Sequence, residues 1–269
     1  MLDGIELLAR FRSRRRLDIG LMYGEAFEQK IAAIDGVLKA QLAGSARRRK
    51  ETIGDLDIVV GVLDADKEKV SKAILGLPGI ADVKGAGDSK ISLILDTSIF
   101  DGGFSLGHID NNVMEAIGGD DYEQLESGGT IDAQVRLVTP GVFPFTLAYF
   151  TGSKEHNIIM RQRAIDRGLR LSEFGLIPEA EAGDLKGMAA AHLSLPAANE
   201  AEIYRHLELD WVPPELREDT GEIAAATDKL LPRLIAPADV KGVLHNHTTL
   251  SDGDATLAQM ADAARNIGW

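Results

Sequence analysis

The apolar positions of this chain change period along its length, and each change marks an element. Ile5, Leu8 and Phe11 (or Leu7) share one side of a predicted helix over residues 1–13, and a second helix is predicted over 22–34. Gly36 breaks that pattern, and 37–42 alternates as a short strand ending at Gly44-Ser45. DLDIVVGVL, residues 55–63, reads as a buried strand, and 65–76 as a helix. Strands are predicted at 80–84 and 90–95, with Gly85, Gly87 and Asp88 turning between them. Residues 97–129 are rich in Gly and Asp and read as a long insertion before a strand at 130–138. Helices follow near 142–151 and 154–167, the second stopped by Gly168. Residues 176–200 resist placement; a short helix near 200–208 leads into Trp211-Val212-Pro213-Pro214, and 221–231 is helical. A strand over 240–244 runs into His245-Asn246-His247, and 255–267 is an amphipathic helix.

Composition narrows the classes. The chain has 269 residues, 45% of them hydrophobic, enough for one large domain or two ordinary ones. The absence of cysteine excludes disulfides, thiolate zinc sites and a cysteine nucleophile, and fits a reducing cytoplasm. No apolar run reaches the 18 residues a membrane span requires, so no membrane partner is expected. The net charge of −13 argues against nucleic acid, but its distribution softens the objection. Arg10, Arg12, Arg14, Arg15 and Arg16 form one basic cluster, 47–50 a second, and Lys154, Arg161, Arg163, Arg167 and Arg170 a third. Each is equally well read as a solvated helix face.

The chemistry concentrates in GSARRRKETIGDLDIVV, residues 44–60. Asp55 and Asp57, two apart on a strand, point to one face. Paired carboxylates suit Mg²⁺, which bridges such oxygens to substrate phosphates. Gly54 lets backbone approach a phosphate. Gly44-Ser45 opens a helix whose free N–H groups bind anions, and Arg48 lies one turn along. Together these residues resemble the nucleotidyltransferase superfamily pattern. The full string resembles the palm of family X DNA polymerases, and the block Tyr149-Phe150-Thr151-Gly152-Ser153-Lys154-Glu155-His156-Asn157 resembles their bacterial and archaeal branch. The first residues resemble the end of that family's fingers region, and LELDWVPPELREDTGEIAAA its interdomain linker.

The resemblance implies an α+β fold: a palm with a mixed β-sheet and helices on one face, then a small helical/β thumb-like subdomain. It implies boundaries at 1–20 (fingers), 21–140 (palm), 141–200 (nucleotide-pair-binding subdomain), 201–238 (linker) and 239–269 (a phosphoesterase domain). Tyr149, Phe150 and Gly152 would line the incoming sugar and base. Asn157 and Arg161 would face the nascent pair and template, and Lys154 the DNA. The implied activity is template-directed nucleotidyl transfer with Mg²⁺ and deoxynucleoside triphosphates on gapped or primer–template DNA, by a monomer.

At the third carboxylate the sequence departs from the family. Arg136 matches the family's strand arginine, and the carboxylate position then falls on Gln134. Asp132 lies on the same face, about 6–7 Å further along. A bulge would bring Asp132 into place; otherwise the palm binds metal and nucleotide but reacts poorly, or is inactive. The substitution argues against efficient polymerisation and leaves open a palm that serves as a gapped-DNA and nucleotide-binding module. Finally, His245, His247 and Asp252 in VLHNHTTLSDG resemble the first motif of the polymerase and histidinol phosphatase (PHP) domain, a β/α barrel with 3′–5′ exonuclease or phosphoesterase activity. They would be ligands for Mn²⁺ or Zn²⁺. One strand and one helix do not close a barrel, so the chain is expected to be truncated at both ends and to lack exonuclease activity.

Overall fold

The computed structural model describes residues 14–99 and 129–269. Of these, 14–99 and 129–231 fall in one compact unit and 232–269 in another. The helix expected over 1–13 and nearly all of the insertion at 97–129 lie outside the described residues.

The first unit opens with strand β1 (Arg15–Arg16) and helix α1 (Leu17–Ala32). Then come β2 (Val37–Leu42), the short helix α2 (Gly44–Arg47), β3 (Thr52–Ile53) and β4 (Asp55–Val62). Helix α3 (Lys67–Leu75), β5 (Ile80–Ala86), β6 (Lys90–Asp96) and β7 (Thr130–Val138) complete the palm-like part. β1 pairs with β3, and the other strands form a five-stranded sheet in the order β2-β4-β7-β6-β5. β4 and β7 run parallel, while every other pair is antiparallel.

The alternation in β4 explains the layering. Leu56, Ile58, Val60 and Val62 point to one face and are at most 1% exposed. Ile131, Ala133, Val135 and Leu137 of β7 and Ile91, Leu93 and Leu95 of β6 extend that apolar face. Tyr23, Ala26, Phe27 and Ile31 of α1 recur at helical spacing and pack against it, joined by Val70 and Ile74 of α3. Each such large side chain contributes roughly 1.5–3 kcal/mol on burial. The opposite face is apolar only toward the strand ends, where Val59 and Val138 meet Val142, Phe143 and Leu147. Its other half carries Asp55, Asp57, Asp132, Gln134 and Arg136.

The thumb-like part comprises α4 (Phe143–Thr151), α5 (Lys154–Ile165), the hairpin β8 (Leu169–Ser172)–β9 (Gly175–Pro178), α6 (Glu179–Ala182), α7 (Glu200–His206) and α8 (Glu222–Asp228). Its core is Phe145, Met160, Ala164, Leu176, Ile203, Tyr204, Leu207, Leu209, Val212 and Ala226. The start of α5 is fixed by the Ser153 hydroxyl accepting from the His156 amide at 3.2 Å. The stretch 176–200 that resisted placement holds most of β9, all of α6 and a 3₁₀ turn over Gly187–Leu193. The stretch read as a linker is packed into the thumb core as far as Leu231.

In the second unit, α9 (Leu257–Asn266) starts from a Thr256–Gln259 capping box. No residue from 232 to 269 is buried. The strand expected over 240–244 is not formed: these residues pair with no other strand, and Val240, Val243 and Leu244 are exposed. Apolar alternation alone does not make a strand without a ladder partner. No helix among the described residues is long and apolar enough to cross a membrane.

Palm and thumb meet at a buried ion triad. Arg47 donates to both carboxylate oxygens of Glu200, at 3.0 and 2.5 Å, and to the Thr151 hydroxyl at 2.6 Å. The fully buried Arg217 donates to Glu200 at 2.7 Å and to the Val212 carbonyl at 3.0 Å. Burial alone would raise the Glu200 carboxyl, but the Arg217 charge and the Arg47 bonds outweigh it and hold it below its ordinary value. Removing one partner of a buried pair strands the other charge, at a cost of about 3–5 kcal/mol. Glu200→Ala is therefore expected to lower unfolding free energy by that order in urea denaturation. Glu200→Gln, which keeps two hydrogen-bonding atoms, should lose less.

Candidate active site

The site is set by a close approach. The Ala43 amide donates to the Asp57 carbonyl at 2.7 Å, tying the turn before α2 to β4. Gly44 follows with φ +61°, and a Cβ there would lie 2.5 Å from an Asp57 carboxylate oxygen. Only glycine satisfies both demands. Ser45 and the start of α2 are thereby brought beside Asp57.

The β4–β7 ladder runs without a register shift and pairs Asp55 with Asp132 and Asp57 with Gln134. The bulge invoked for β7 is absent. Asp132 is nonetheless beside a carboxylate, level with Asp55 one strand over, while the amide of Gln134 stands level with Asp57. Asp55, Asp57 and Asp132 all belong to the polar face.

Electrostatics follow from this crowding. Burial pushes the Asp57 carboxyl up to about 7, helped by the Asp55 charge and opposed by Arg136, Arg48 and Lys90. Asp55 is likewise raised by burial, then by Asp132, with Arg14 opposing. Two desolvated carboxylates side by side cannot both ionise without a cation. Their all-oxygen donor set fits a hard divalent ion such as Mg²⁺. Among the described residues no three His, Asp or Glu side chains converge to hold an ion unaided. Substrate and solvent oxygens would have to complete the shell. Asp132 is held by a cation of its own: both its oxygens accept from the Lys84 ammonium, at 2.7 and 2.8 Å.

The other expected residues are partly committed. Arg48 donates to Glu218 at 2.8 Å and to the Thr151 carbonyl at 2.5 Å, so the anticipated phosphate ligand is tied to the thumb. Gly54 faces the Arg14 guanidinium, which bonds the Thr52 hydroxyl at 2.8 Å. Gly152, at φ +69°, packs against Arg48. Tyr149, Asn157 and Arg161 line one small pocket, with the Asn157 amide donating to the Tyr149 carbonyl at 2.8 Å. Phe150 meets Tyr149 edge-on at 5.3 Å and lies beneath the Arg136 guanidinium at 4.3 Å. Lys154 is exposed on the first turn of α5. Much of the basic character is spent internally: Arg163 bonds the Leu207 carbonyl, Arg167 pairs with Glu208 and Arg170 bonds the Leu185 carbonyl.

In the second unit His245 and His247 do not follow a strand, and His245 has φ +63°. Their rings still lie 4.8 Å apart, and His247 Nδ1 bonds Asp252.

Sequence reasoning missed Lys84, Glu200 and Arg217, and used His156 only as part of a motif. His156 is buried between Glu222, 2.7 Å from Nδ1, and the Tyr204 hydroxyl, 2.9 Å from Nε2. Burial lowers its pKa despite the Glu222 charge.

The fold is of the polymerase beta nucleotidyltransferase type. The family model of the DNA polymerase beta thumb matches residues 146–218. The chain is 35% identical to the DNA polymerase/3′-5′ exonuclease PolX of Bacillus subtilis (strain 168), over 94% of this chain and 37% of that protein. It is 29% identical to DNA polymerase lambda of Arabidopsis thaliana, over 65% of this chain and 31% of that one. The chain thus spans about a third of the length of these relatives. Leishmania infantum polymerase beta in a ternary gap complex shares the fold at TM-score 0.59 and 18% identity, covering 78% of this chain and 73% of that one. Its ternary P/T complex gives TM-score 0.57 at the same identity, covering 78% and 80%. The chain belongs to family X of the DNA polymerases.

The Asp57 shift has a measurable consequence. The unfolded carboxyl titrates near 3.8 and the folded one near 7, so the folded state holds the extra proton between them. A raised pKa contributes stability that is complete below the unfolded value and is lost as pH rises through the folded one. Without divalent cation, stability should therefore fall from about pH 4 to above pH 7. Asp57→Asn should flatten that fall and exceed the parent at pH 8 by on the order of 2 kcal/mol, beneath a ceiling of about 4 at ~1.4 per unit. Denaturant titrations in EDTA at pH 5 and pH 8 check this.

Proposed function

We propose that this chain carries the nucleotidyl-transfer unit of a family X DNA polymerase acting on gapped or primer–template DNA in repair. The observation that carries the reading is Asp55 and Asp57 on one face of β4 beside the Gly44-Ser45 turn, with Asp132 level with Asp55. In this reading Asp55 and Asp57 hold Mg²⁺, which when bound activates the primer hydroxyl and offsets charge on the leaving phosphates. Asp132 accepts the hydroxyl proton. Gly44 and Ser45 present backbone N–H groups to the triphosphate, and Arg48 and Gly54 border it. Tyr149, Phe150, Gly152 and Asn157 receive the nucleotide, and Lys154 and Arg161 the DNA. His245, His247 and Asp252 would hold Mn²⁺ or Zn²⁺ for a PHP-type 3′–5′ exonuclease. That assignment is supported by the exonuclease in the printed name of the Bacillus subtilis relative. The protein would act as a cytoplasmic monomer.

A second reading, a weakened palm that grips gapped DNA and nucleotide for the phosphoesterase, is favoured by the placement of Gln134 beside Asp57. Two measurements separate them. A deoxynucleoside triphosphate with Mg²⁺ should raise the melting temperature, and Asp55→Ala/Asp57→Ala should abolish the rise; an equal rise in that variant would place the nucleotide elsewhere. In primer extension on gapped DNA at low salt, Asp132→Ala should lose roughly 10²-fold or more, the usual worth of a general base. Unchanged extension by Asp132→Ala, with a gain in Gln134→Asp, would favour the second reading.

A further inference from the structure

Lys84 has no place in the proposed chemistry, yet its ammonium is bonded to the carboxylate that chemistry needs. Strand β5 is the sheet edge, and β6 separates it from β7. Two strand spacings amount to about 9–10 Å, which only a long side chain crosses. The β5–β6 ladder shifts at this point: Val83 pairs with Leu93 and Gly85 with Ser92, so Lys84 is the extra residue of a bulge. Bulges re-aim side chains and concentrate beside active sites. Gly85 offers no side chain to compete, and a Cβ there would meet nothing within 4 Å. Lys84 therefore reaches over Ser92 and Ile94 to both oxygens of Asp132, at 2.7 and 2.8 Å. Both partners are about half exposed, so the pair is weak and exchangeable. The surrounding hairpin, residues 81–90, is exposed throughout and carries Lys90 as well.

We propose that Lys84 is a tethered cation that keeps Asp132 from a metal ion until a nucleic-acid phosphate takes the Lys84 ammonium in its place. A phosphate oxygen is an equivalent partner, and an exposed edge hairpin is where a backbone strand can reach it. DNA binding would thereby complete the carboxylate set. This inference rests on the palm reading above, in which Asp55 and Asp57 hold the metal.

The test uses the full chain with His245→Ala/His247→Ala, which removes the other candidate metal site. Mn²⁺ is titrated in without DNA, and free Mn²⁺ is read by electron paramagnetic resonance. Lys84→Met, which keeps the stem and removes the charge, should tighten Mn²⁺ roughly two- to fivefold, the range an exposed ion pair commands. Lys84→Met/Asp132→Asn should show no such gain. Duplex DNA with a dideoxy-terminated primer should tighten Mn²⁺ in the parent but not in Lys84→Met. Unchanged or weaker binding in Lys84→Met, while Asp57→Asn loses the site, would overturn the latch and leave the palm reading standing. Binding indifferent to Asp57→Asn would overturn both.

Discussion

Asp55 and Asp57 cannot be separated without dismantling the sheet. Leu56 and Ile58 alternate with them and are buried in the main core, so turning either aspartate away would drag an apolar side chain into water. Parity forces the two carboxylates onto one face, Gly44 closes over Asp57, and burial withdraws the solvent that would spread their charge. Much of the surrounding polar architecture offsets this. Arg48 and Arg136 lower the Asp57 pKa, and both reach into the thumb: Arg48 to Thr151 and Glu218, Arg136 to the Phe150 ring. The charge problem of the palm is thus partly solved by side chains that also touch the thumb, which couples the two parts electrostatically.

The second joint works differently. Arg47, Glu200 and Arg217 form a buried triad in which two cations share one carboxylate. Such groups contribute little net stability over apolar replacements, but they tolerate only one geometry. Arg47 comes from α2, the helix that Gly44 opens, and Thr151 from the end of α4, so the triad fixes the Gly44-Ser45 turn relative to the Tyr149–Gly152 segment. Arg217 adds its guanidinium over the Tyr204 ring at 5.2 Å, and the same Tyr204 hydroxyl meets His156. Alignment between the carboxylate face and helices α4 and α5 therefore depends on contacts between residues remote in sequence, which no single stretch of the chain announces.

What was legible in the sequence follows from this. Strands β2, β4, β6 and β7 and helices α3, α4 and α5 were readable because each carries its own apolar period. The Asp55–Asp57 pair was readable because i and i+2 share a face wherever a strand forms. The hairpin β8–β9 was not, because its four-residue strands are too short for a period to emerge. The strand at 240–244 failed for the opposite reason: its pattern was sound, but a strand needs a partner that no local pattern announces. Arg47 sat in plain view inside a basic run, yet composition cannot separate a cation bound for solvent from one bound for a buried glutamate 153 residues on. Lys84 was unreadable because a bulge is a property of pairing between two strands.

The third carboxylate shows most clearly where linear counting ends. Counting along the strand from Arg136 leads one to expect the third carboxylate at Gln134, with Asp132 two residues short of it. In the sheet, position along β7 is measured against β4, and the unbroken parallel register sets Asp132 level with Asp55 and Gln134 level with Asp57. The negative charge of the face is therefore centred toward the start of both strands. There it comes within reach of Lys84, whose bulge lies on the far side of β6. The contact between Lys84 and Asp132 exists only through the pairing of three strands, β5, β6 and β7. Gln134, level with Asp57, brings no charge to it from β7, and the carboxylate that joins burial in raising the Asp57 pKa is Asp55.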